Sequence, residues 1–167
     1  HLIEVKSMDY RRVTGEFDRL ISIEMIEAVG HKYLPDFINK CRQLLKRNGK
    51  ACFQAITIPK NRYADYIKST DYIRHYIFPG GHLPTIEHLE ELATNNAFLW
   101  TQATPITEHY VTTLNIWKDT FLEKKAELKA MGFDQAFINK WVYYFDYCAA
   151  GFKENYIETY QFTLDKK

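Results

Sequence analysis

The sequence predicts an α/β fold in which a mostly parallel sheet carries helices on both faces. Apolar runs of strand length alternate with longer segments whose apolar residues recur every three or four positions. The run at residues 51–58 is almost continuously apolar and ends at Pro59, as is typical of a strand buried on both faces. At 167 residues, the chain is long enough for one domain with a hydrophobic core.

Five segments are predicted strands, and they occur in a regular order along the chain: residues 2–8, 18–23, 51–58, 97–103 and 156–164. The last of them alternates apolar and polar residues, as a half-buried strand does. The first two are each followed directly by acidic residues. This pattern predicts strands that end at a polar edge of the sheet.

The segments between these strands have apolar residues at helical spacing. The first helix carries an apolar stripe over residues 33–45, and Asn48-Gly49 supplies its predicted C-terminal stop. Thr85 is the predicted N-cap of a second helix. Two more helices, both rich in aromatic residues, precede the last strand.

Several polar residues are predicted to meet at one edge of the sheet. Asp9, Glu24 and Glu27 each follow a predicted strand, and Gln54 joins them if its strand ends early. In sheets of this kind, ligands bind beyond the carboxyl ends of the strands. This edge is therefore the predicted functional site.

The segment YIFPGGHLP at residues 76–84 combines a Pro-Gly-Gly turn with aromatic and aliphatic side chains. Glycines in such a turn allow positive φ angles and close backbone approach, and prolines stiffen its ends. A simple connector needs no apolar side chains. Taken alone, the segment is best explained as a packed structural turn.

Composition and charge restrict the class of partner. A formal net charge of +1 argues against a nucleic-acid-binding protein that works by broad phosphate neutralisation. Aromatic residues make up 16% of the chain, which favours a pocket for an apolar ligand. Lys and Arg cluster at residues 40–50 and 124–129, where solvated helix faces are favoured over a membrane contact.

The cysteines and the hydropathy pattern predict a cytoplasmic protein. Cys41, Cys52 and Cys148 have no metal-ligand spacing and form no even disulfide set, which favours a reducing compartment. No apolar run approaches the roughly 18 residues of a spanning helix, and no signal peptide is visible. We therefore predict no metal site.

Six blocks of sequence closely resemble, in order, the C-terminal part of the cyclopropane-fatty-acyl-phospholipid synthases and their mycolic-acid-modifying relatives. The blocks are VKSMDYRRV (5–13), FDRLISIEMIEAVGHKYLPDF (17–37), QAITIP (54–59), YIFPGGHLP (76–84), EHYVTTLNIW (108–117) and YYFDYCAAGF (143–152). The resemblance implies the Rossmann-like class I fold of S-adenosylmethionine-dependent methyltransferases. Family members also carry an upstream D-x-G-x-G loop that holds the cofactor, and this sequence contains none. Residues 1–167 are therefore interpreted as one partial domain, which lacks the first two strands.

The resemblance also implies a reaction, a base and a location. The reaction is methylene transfer to the double bond of an unsaturated phospholipid acyl chain, with bound bicarbonate as the general base. The enzyme would be peripheral to the inner face of the membrane, and this fragment alone is expected to be inactive. Two alternatives remain open: a paralogous methyltransferase that acts on another acceptor, and a non-catalytic acyl- or lipid-binding remnant.

By the same resemblance, five residues are expected around the anion: Glu27, Gln54, Ile56, Tyr110 and Cys148. Glu27 and Tyr110 would hold it, and Ile56 would offer its backbone amide. Gln54 stands where many relatives have His, so it can orient the anion but cannot titrate as the base. Cys148 is expected to line the pocket and not to act as a nucleophile, because nothing nearby lowers its pKa.

The remaining site residues concern the cofactor and the acyl chain. Asp9 matches the residue that contacts the adenine amino group of the cofactor, although an acidic residue after a strand is otherwise an ordinary turn former. Phe78, Gly80, Gly81 and Leu83 are expected to wall the cofactor and acyl pocket.

The absence of two strands has a consequence for assembly. The usual strand order of this methyltransferase sheet is 3-2-1-4-5-7-6, so removing strands 1 and 2 leaves 4-5-7-6 together. Strand 3, at residues 2–8, loses its neighbour, and strand 4, at residues 18–23, gains an open apolar edge. We expect the chain to form a homo-oligomer through this edge, to swap elements, or to leave residues 1–12 poorly packed.

Overall fold

The computed structural model describes residues 2–167, which form one four-stranded sheet with helices on both faces. The strands are β1 (Phe17–Ile23), β2 (Leu45–Thr57), β3 (Phe98–Pro105) and β4 (Glu158–Lys166). The α-helices are α1 (Ile26–Val29), α2 (Leu34–Leu44), α3 (Lys60–Tyr66), α4 (Ile86–Asn95), α5 (Thr107–Glu123), α6 (Lys125–Ala130) and α7 (Gln135–Lys153). Short 3-10 helices span Tyr10–Arg12 and His31–Tyr33, and a π-helical turn spans Ile73–Ile77.

The order of the strands across the sheet is β1-β2-β4-β3, which confirms the predicted contiguous order 4-5-7-6. Three of the four strands run in the same direction, as expected of a mostly parallel sheet, but β4 runs antiparallel to both β2 and β3, so only β1 and β2 pair in parallel. The cause lies in the connection from β3 to β4. It contains two long helices, α5 and α7, so the chain returns to the end of the sheet that it left.

Each face of the sheet has its own core. On one face, α2 and α4 cover a stack of aromatic rings, in which Phe162 lies 5.1 Å from Phe53 and 4.6 Å from Trp100 between centroids. On the other face, α5 and α7 pack together around Leu114 and Phe152. Burial of such side chains stabilises a fold by roughly 1.5–3 kcal/mol each, and the two cores fix the helices that carry the site.

The first helix ends earlier than predicted. Helix α2 stops at Leu44, and β2 begins at once with the fully buried Leu45, so Asn48-Gly49 is not the helix stop. Asn48 instead adopts a φ of 63° within β2, where the pairing with β1 jumps from Phe17–Leu45 to Arg19–Lys50. The turn signal therefore marks an irregularity of the strand, because Asn tolerates left-handed backbone conformations.

The predicted strand at residues 2–8 is absent. Residues 2–9 have no regular secondary structure, and the apolar side chains of Leu2, Ile3 and Val5 are exposed. No strand within residues 2–167 pairs with this segment, and an unpaired strand leaves its backbone groups without partners. Packing begins at Tyr10, whose ring contacts Phe37 at 5.3 Å. Poor packing was thus predicted correctly for residues 2–9, whereas residue 1 lies outside the described residues.

Candidate functional site

Glu27 occupies the first turn of α1, just beyond the carboxyl end of β1. Its Oε1 atom accepts a hydrogen bond of 2.5 Å from the backbone nitrogen of Ile56 on β2. Its Oε2 atom is buried and has no hydrogen-bond partner among the described residues. Burial raises the pKa of this carboxyl from 4.5 to about 7, although the Ile56 amide opposes the shift. Glu27 is therefore poised to titrate near neutral pH.

Gln54 lies at the centre of a hydrogen-bond network on the same edge. Its Nε2 atom donates to Oε1 of Glu24 at 2.9 Å and to the hydroxyl oxygen of Tyr110 at 2.7 Å. Its Oε1 atom accepts from Nε2 of Gln161 at 2.9 Å. The strand does not end early, since β2 continues to Thr57. The side chain nevertheless bonds to one of the acidic residues, Glu24, although the predicted condition of an early strand end is not met.

Tyr110 reaches this network from α5. Its ring packs against Phe152 with 4.9 Å between centroids, so the ring belongs to the core between α5 and α7. Because the hydroxyl oxygen accepts from Gln54, the hydroxyl proton remains free to be donated. The apolar-stripe and functional interpretations of Tyr110 are therefore compatible.

Cys148 presents a buried thiol on α7. Burial raises the pKa of this thiol to about 12. Burial also raises the pKa of Tyr144, so both groups stay protonated at neutral pH. A thiol in this state is a poor nucleophile, which agrees with a residue that lines the pocket.

The Pro-Gly-Gly turn packs against the helix that carries Glu27. The backbone nitrogen of His82 donates to the carbonyl oxygen of Glu27 at 2.9 Å, and that of Gly81 donates to the carbonyl oxygen of Phe78, also at 2.9 Å. A Cβ atom on Gly81 would lie 3.0 Å from that Phe78 oxygen, and Gly80 has a φ of +85°. Both glycines therefore have a structural reason to be there.

Two tyrosines fix the ends of this turn. The hydroxyl of Tyr66 accepts from the backbone nitrogen of Leu83 at 2.9 Å. The ring of Phe78 packs edge-on against Tyr144 with 6.3 Å between centroids. Because Tyr144 itself lies on α7, the turn is connected to α7 as well as to α1.

The structure thus brings together most of the predicted site residues. Ile56 and Tyr110 pack against the buried cluster that contains Cys148, while Glu27 and Gln54 bond to Ile56 and Tyr110 respectively. The Ile56 amide is occupied by Glu27, so in this structure it holds the carboxyl in place.

Asp9 lies apart from this group. Its carboxylate is exposed and forms a 2.6 Å ion pair with Arg11, which lowers its pKa to about 2. It shares no hydrogen bond with the other predicted site residues. Its assignment to the adenine remains a prediction.

Sequence reasoning missed Gln161, Tyr144 and Tyr66. Gln161 appears in the sequence only as a polar position in an alternating strand, and its pairing with Gln54 depends on the antiparallel register of β4. Tyr144 and Tyr66 stand among many aromatic residues. No local pattern distinguishes a tyrosine whose hydroxyl bonds to a functional segment from one that only packs.

Three histidines form a second cluster beside the turn. The Tyr63 hydroxyl lies 3.1 Å from Nδ1 of His31 and 3.2 Å from Nε2 of His82, and the ring of His88 stacks on His31 at 5.1 Å. Burial lowers the pKa of His82 from 6.5 to about 4. No group of three or more His, Cys, Asp or Glu residues within 2–167 could hold a metal ion.

Within residues 2–167, no helix combines the length and the apolar character needed to cross a membrane.

Comparison with known proteins identifies relatives over nearly the whole chain. The family model for mycolic acid cyclopropane synthetase matches residues 1–162. The tuberculostearic acid methyltransferase UfaA1 of Mycobacterium tuberculosis (strain ATCC 25618 / H37Rv) is 36% identical over 98% of this chain and 39% of its own length. The cyclopropane mycolic acid synthase MmaA2 of the same strain is 30% identical over 89% of this chain and 55% of its own length.

Solved structures give the same result. The mycolic acid cyclopropane synthase CmaA1, complexed with SAH and CTAB, superposes with a TM-score of 0.85 at 28% identity, over 94% of this chain and 58% of that one. The structure of MmaA2 gives a TM-score of 0.83 at 29% identity over the same shares. The sheet is accordingly that of a class I methyltransferase, and the chain spans about half the length of these relatives. On these grounds, the chain belongs to the mycolic acid cyclopropane synthetase family.

Proposed function

We propose that this chain serves S-adenosylmethionine-dependent transfer of a methylene group to the double bond of an unsaturated phospholipid acyl chain. The observation that carries the proposal is the Glu27 carboxyl. Its Oε2 atom is buried without a partner among the described residues, and burial raises the pKa of the carboxyl to about 7. The Tyr110 hydroxyl, which has a proton to donate, belongs to the network of Gln54 at the same edge of the sheet. A structural carboxylate would be expected to have both oxygens paired.

S-adenosylmethionine would supply an electrophilic methyl group. Its transfer to an alkene leaves a carbocation, which must lose a proton before the ring can close. A base is therefore needed in a site that excludes water. Bound bicarbonate would be that base, held by the Glu27 carboxyl, whose pKa is raised to about 7, whereas the amide of Gln54 cannot titrate. The packed rings of Tyr110 and Phe152 supply the apolar wall.

Bicarbonate fits the polar groups that are present. The Oε2 atom of Glu27 can accept the proton of such an anion, and the Tyr110 hydroxyl can donate to one of its oxygens. Cys148 would bound the same space with a protonated thiol. With bicarbonate bound, Glu27 would hold and orient the anion, and the proton from the substrate would pass to that base.

One residue of a cofactor site also fits. Each oxygen of the Asp9 carboxylate accepts a hydrogen bond from Arg11 and has further acceptor capacity for an adenine amino group. The related CmaA1 was solved with SAH, which supports the same cofactor here. No D-x-G-x-G loop occurs in these 167 residues, so we expect the chain alone to be inactive.

The proposed substrate also suggests a location. An acyl chain within a phospholipid is reached at a bilayer, so the enzyme would be peripheral to the inner face of the membrane. We further propose self-association through the free edge of β1.

The decisive experiment uses the full-length protein that contains this chain. It is incubated with S-adenosylmethionine and vesicles of unsaturated phospholipid, and the acyl masses are read before and after catalytic hydrogenation. We expect a gain of one methylene that resists hydrogenation. The Glu27→Gln variant should lose this product, whereas Glu90→Gln, at an exposed position on α4, should retain it. Cofactor binding without any mass gain would overturn the proposal.

A second candidate is methylation of another unsaturated acceptor, which the 36% identity to a tuberculostearic acid methyltransferase favours. Gln54 also favours it, because loss of a titratable side chain at this position can change which proton leaves the carbocation. The same assay separates the two, since an acyl chain with a methylene branch or a methyl-branched double bond takes up hydrogen and a cyclopropane does not. Vesicle binding without cofactor binding would instead favour an acyl- or lipid-binding remnant.

A further inference from the structure

We infer that Gln161 is a positioning residue that fixes the orientation of the Gln54 amide and so makes the Tyr110 hydroxyl a donor into the site. The orientation follows from hydrogen bonds within the chain. What Tyr110 donates to is the only part that rests on the proposed function.

Gln161 and Gln54 are direct neighbours across two antiparallel strands. They occupy paired positions of β4 and β2, and Nε2 of Gln161 donates to Oε1 of Gln54 at 2.9 Å. Because residues in directly opposite positions of a ladder project to the same face, the backbone register itself holds the two amides together.

The other end of the Gln54 amide is held by a carboxylate. Nε2 of Gln54 lies 2.9 Å from Oε1 of Glu24. Glu24 is itself anchored, since its backbone nitrogen donates to the carbonyl oxygen of Gln54 at 2.8 Å and its φ is 50°. A flipped amide would set the Gln54 oxygen against this carboxylate and its NH₂ group against that of Gln161. The contact with Glu24 is repulsive in either case, and the contact with Gln161 is repulsive as long as the Gln161 amide keeps its orientation, so Glu24 and Gln161 together favour one orientation of Gln54.

This orientation decides what Tyr110 can do. A side-chain amide nitrogen carries two hydrogens and no available lone pair, so the Tyr110 oxygen, 2.7 Å from Nε2 of Gln54, must accept. Its single proton then points elsewhere, and no acceptor for it occurs among the described residues. With the amide flipped, Tyr110 would donate that proton to Gln54 and would have none for an anion.

The test inverts the polarity at position 161 with almost no change in shape. In Gln161→Glu, a carboxylate replaces the donor, repels Oε1 of Gln54 and competes with Glu24 for its Nε2, so the Gln54 amide should turn or lose its fixed orientation. Gln161→Leu removes the donor without adding charge and covers the case in which the first variant fails to fold. Gln102→Glu is the matched control. It lies on the neighbouring strand β3 and bonds only to Thr104 among the described side chains.

The primary measurement is the NMR signature of the Gln54 side-chain amide, which requires neither cofactor nor activity. In the parent chain and in Gln102→Glu, we expect slow exchange of both amide protons and cross-peaks to the Tyr110 ring. In Gln161→Glu these cross-peaks should disappear, and in Gln161→Leu the exchange should become faster. Unchanged Gln54 signals in both Gln161 variants would overturn the inference.

The second measurement is titration with ¹³C-labelled bicarbonate, followed on the Tyr110 ring signals. We expect Gln161→Glu to weaken binding about tenfold or more relative to Gln102→Glu, which corresponds to about 1.4 kcal/mol. Equal binding in both variants would contradict the role of Gln161 in aiming the hydroxyl. If bicarbonate does not bind the parent chain but the Gln54 amide still turns, the orientation by Gln161 is supported and the proposed anion is contradicted.

Discussion

The backbone nitrogen of His82 donates to the backbone carbonyl oxygen of Glu27 at 2.9 Å and so joins the Pro-Gly-Gly turn to the helix that carries the candidate catalytic carboxyl. The two side chains respond to burial in opposite directions. The pKa of Glu27 is raised to about 7, and that of His82 is lowered to about 4. Between these values both groups are neutral in the folded chain, so the turn and α1 meet without a buried charge.

Glu27→Gln should change how stability depends on pH. Because the folded-state pKa of Glu27 is raised from 4.5 to about 7, its stabilising effect is complete below pH 4.5 and is lost as the pH rises through 7. Gln resembles the neutral carboxyl at every pH. From pH 4 to pH 8 the parent should therefore lose on the order of 3 kcal/mol of unfolding free energy that the variant does not lose. Urea unfolding at both pH values checks this, and parallel profiles for the two proteins would contradict it.

His82→Asn should remove a pH dependence of the opposite sign. The pKa of His82 is lowered from 6.5 to about 4 by burial and by the nearby charges of His31, Arg74 and His88. Its contribution is complete above pH 6.5 and is lost as the pH falls towards 4, by about 1 to 3 kcal/mol. NMR titration of His82 and urea unfolding at pH 4.5 and 7 measure it. The exposed His109→Asn variant should keep the parent profile, and a His82 midpoint near 6.5 would disprove the expectation.

Gly81→Ala should loosen the turn, because the new Cβ would lie 3.0 Å from the backbone oxygen of Phe78. We expect a loss of about 1–2 kcal/mol in unfolding free energy and faster exchange of the His82 amide proton. Gly80→Asn is the control, since Gly80 faces open space at a φ of +85° that Asn tolerates. An alanine variant as stable as the parent would show that the close approach is not required.

Alkylation should distinguish the three cysteines. Burial raises the pKa of both Cys41 and Cys148 to about 12, so neither forms a thiolate readily, whereas Cys52 is only half-buried. Iodoacetamide at pH 8 should therefore modify Cys52 first, as followed by mass spectrometry of intact and digested protein. Modification of Cys148 before Cys52 would indicate an activated thiol and a different role in the site.

Ile21→Lys should reduce self-association of the chain. Ile21 and Ile23 are 71% and 64% exposed on β1, which has one unpaired edge. A lysine on an edge strand discourages pairing between copies, and at an exposed site it should change stability by less than about 0.5 kcal/mol. Sedimentation velocity measures the association. Leu99→Lys on β3, the strand at the opposite edge, is the control, and equal effects of both variants would exclude a specific role for β1.

The periodicity of the sequence predicted where elements lie, but not which way they run. Apolar runs located all four strands, although β2 begins at Leu45 and not at residue 51, and the resemblance supplied their order. The direction of β4 depends on the two long helices, α5 and α7, that connect it to β3. The strand predicted at residues 2–8 failed for a different reason, because strand propensity has no effect without a partner for pairing.

The sequence predicted those site residues that lie within local motifs. Glu27, Gln54 and Tyr110 lie in recognisable blocks, and the structure brings them together. Gln161 contributes through its position opposite Gln54, a relation that joins residues 107 positions apart. Such a relation arises from the register of the sheet, and no window of sequence contains it.

Strand β4 lies between β2 and β3 although it follows both of them in the chain. On the ribosome, the emerging polypeptide would therefore hold two unconnected halves: β1 with β2, and β3 with its flanking helices. The ladder between β1 and β2 could form early, but the ladders that join β2 and β3 to β4 must wait until residues 158–166 have been synthesised, and loop closure over such separations is slow. Until then, nascent chains would expose an apolar strand edge to one another, so chaperone demand during translation should be greatest just before this strand appears.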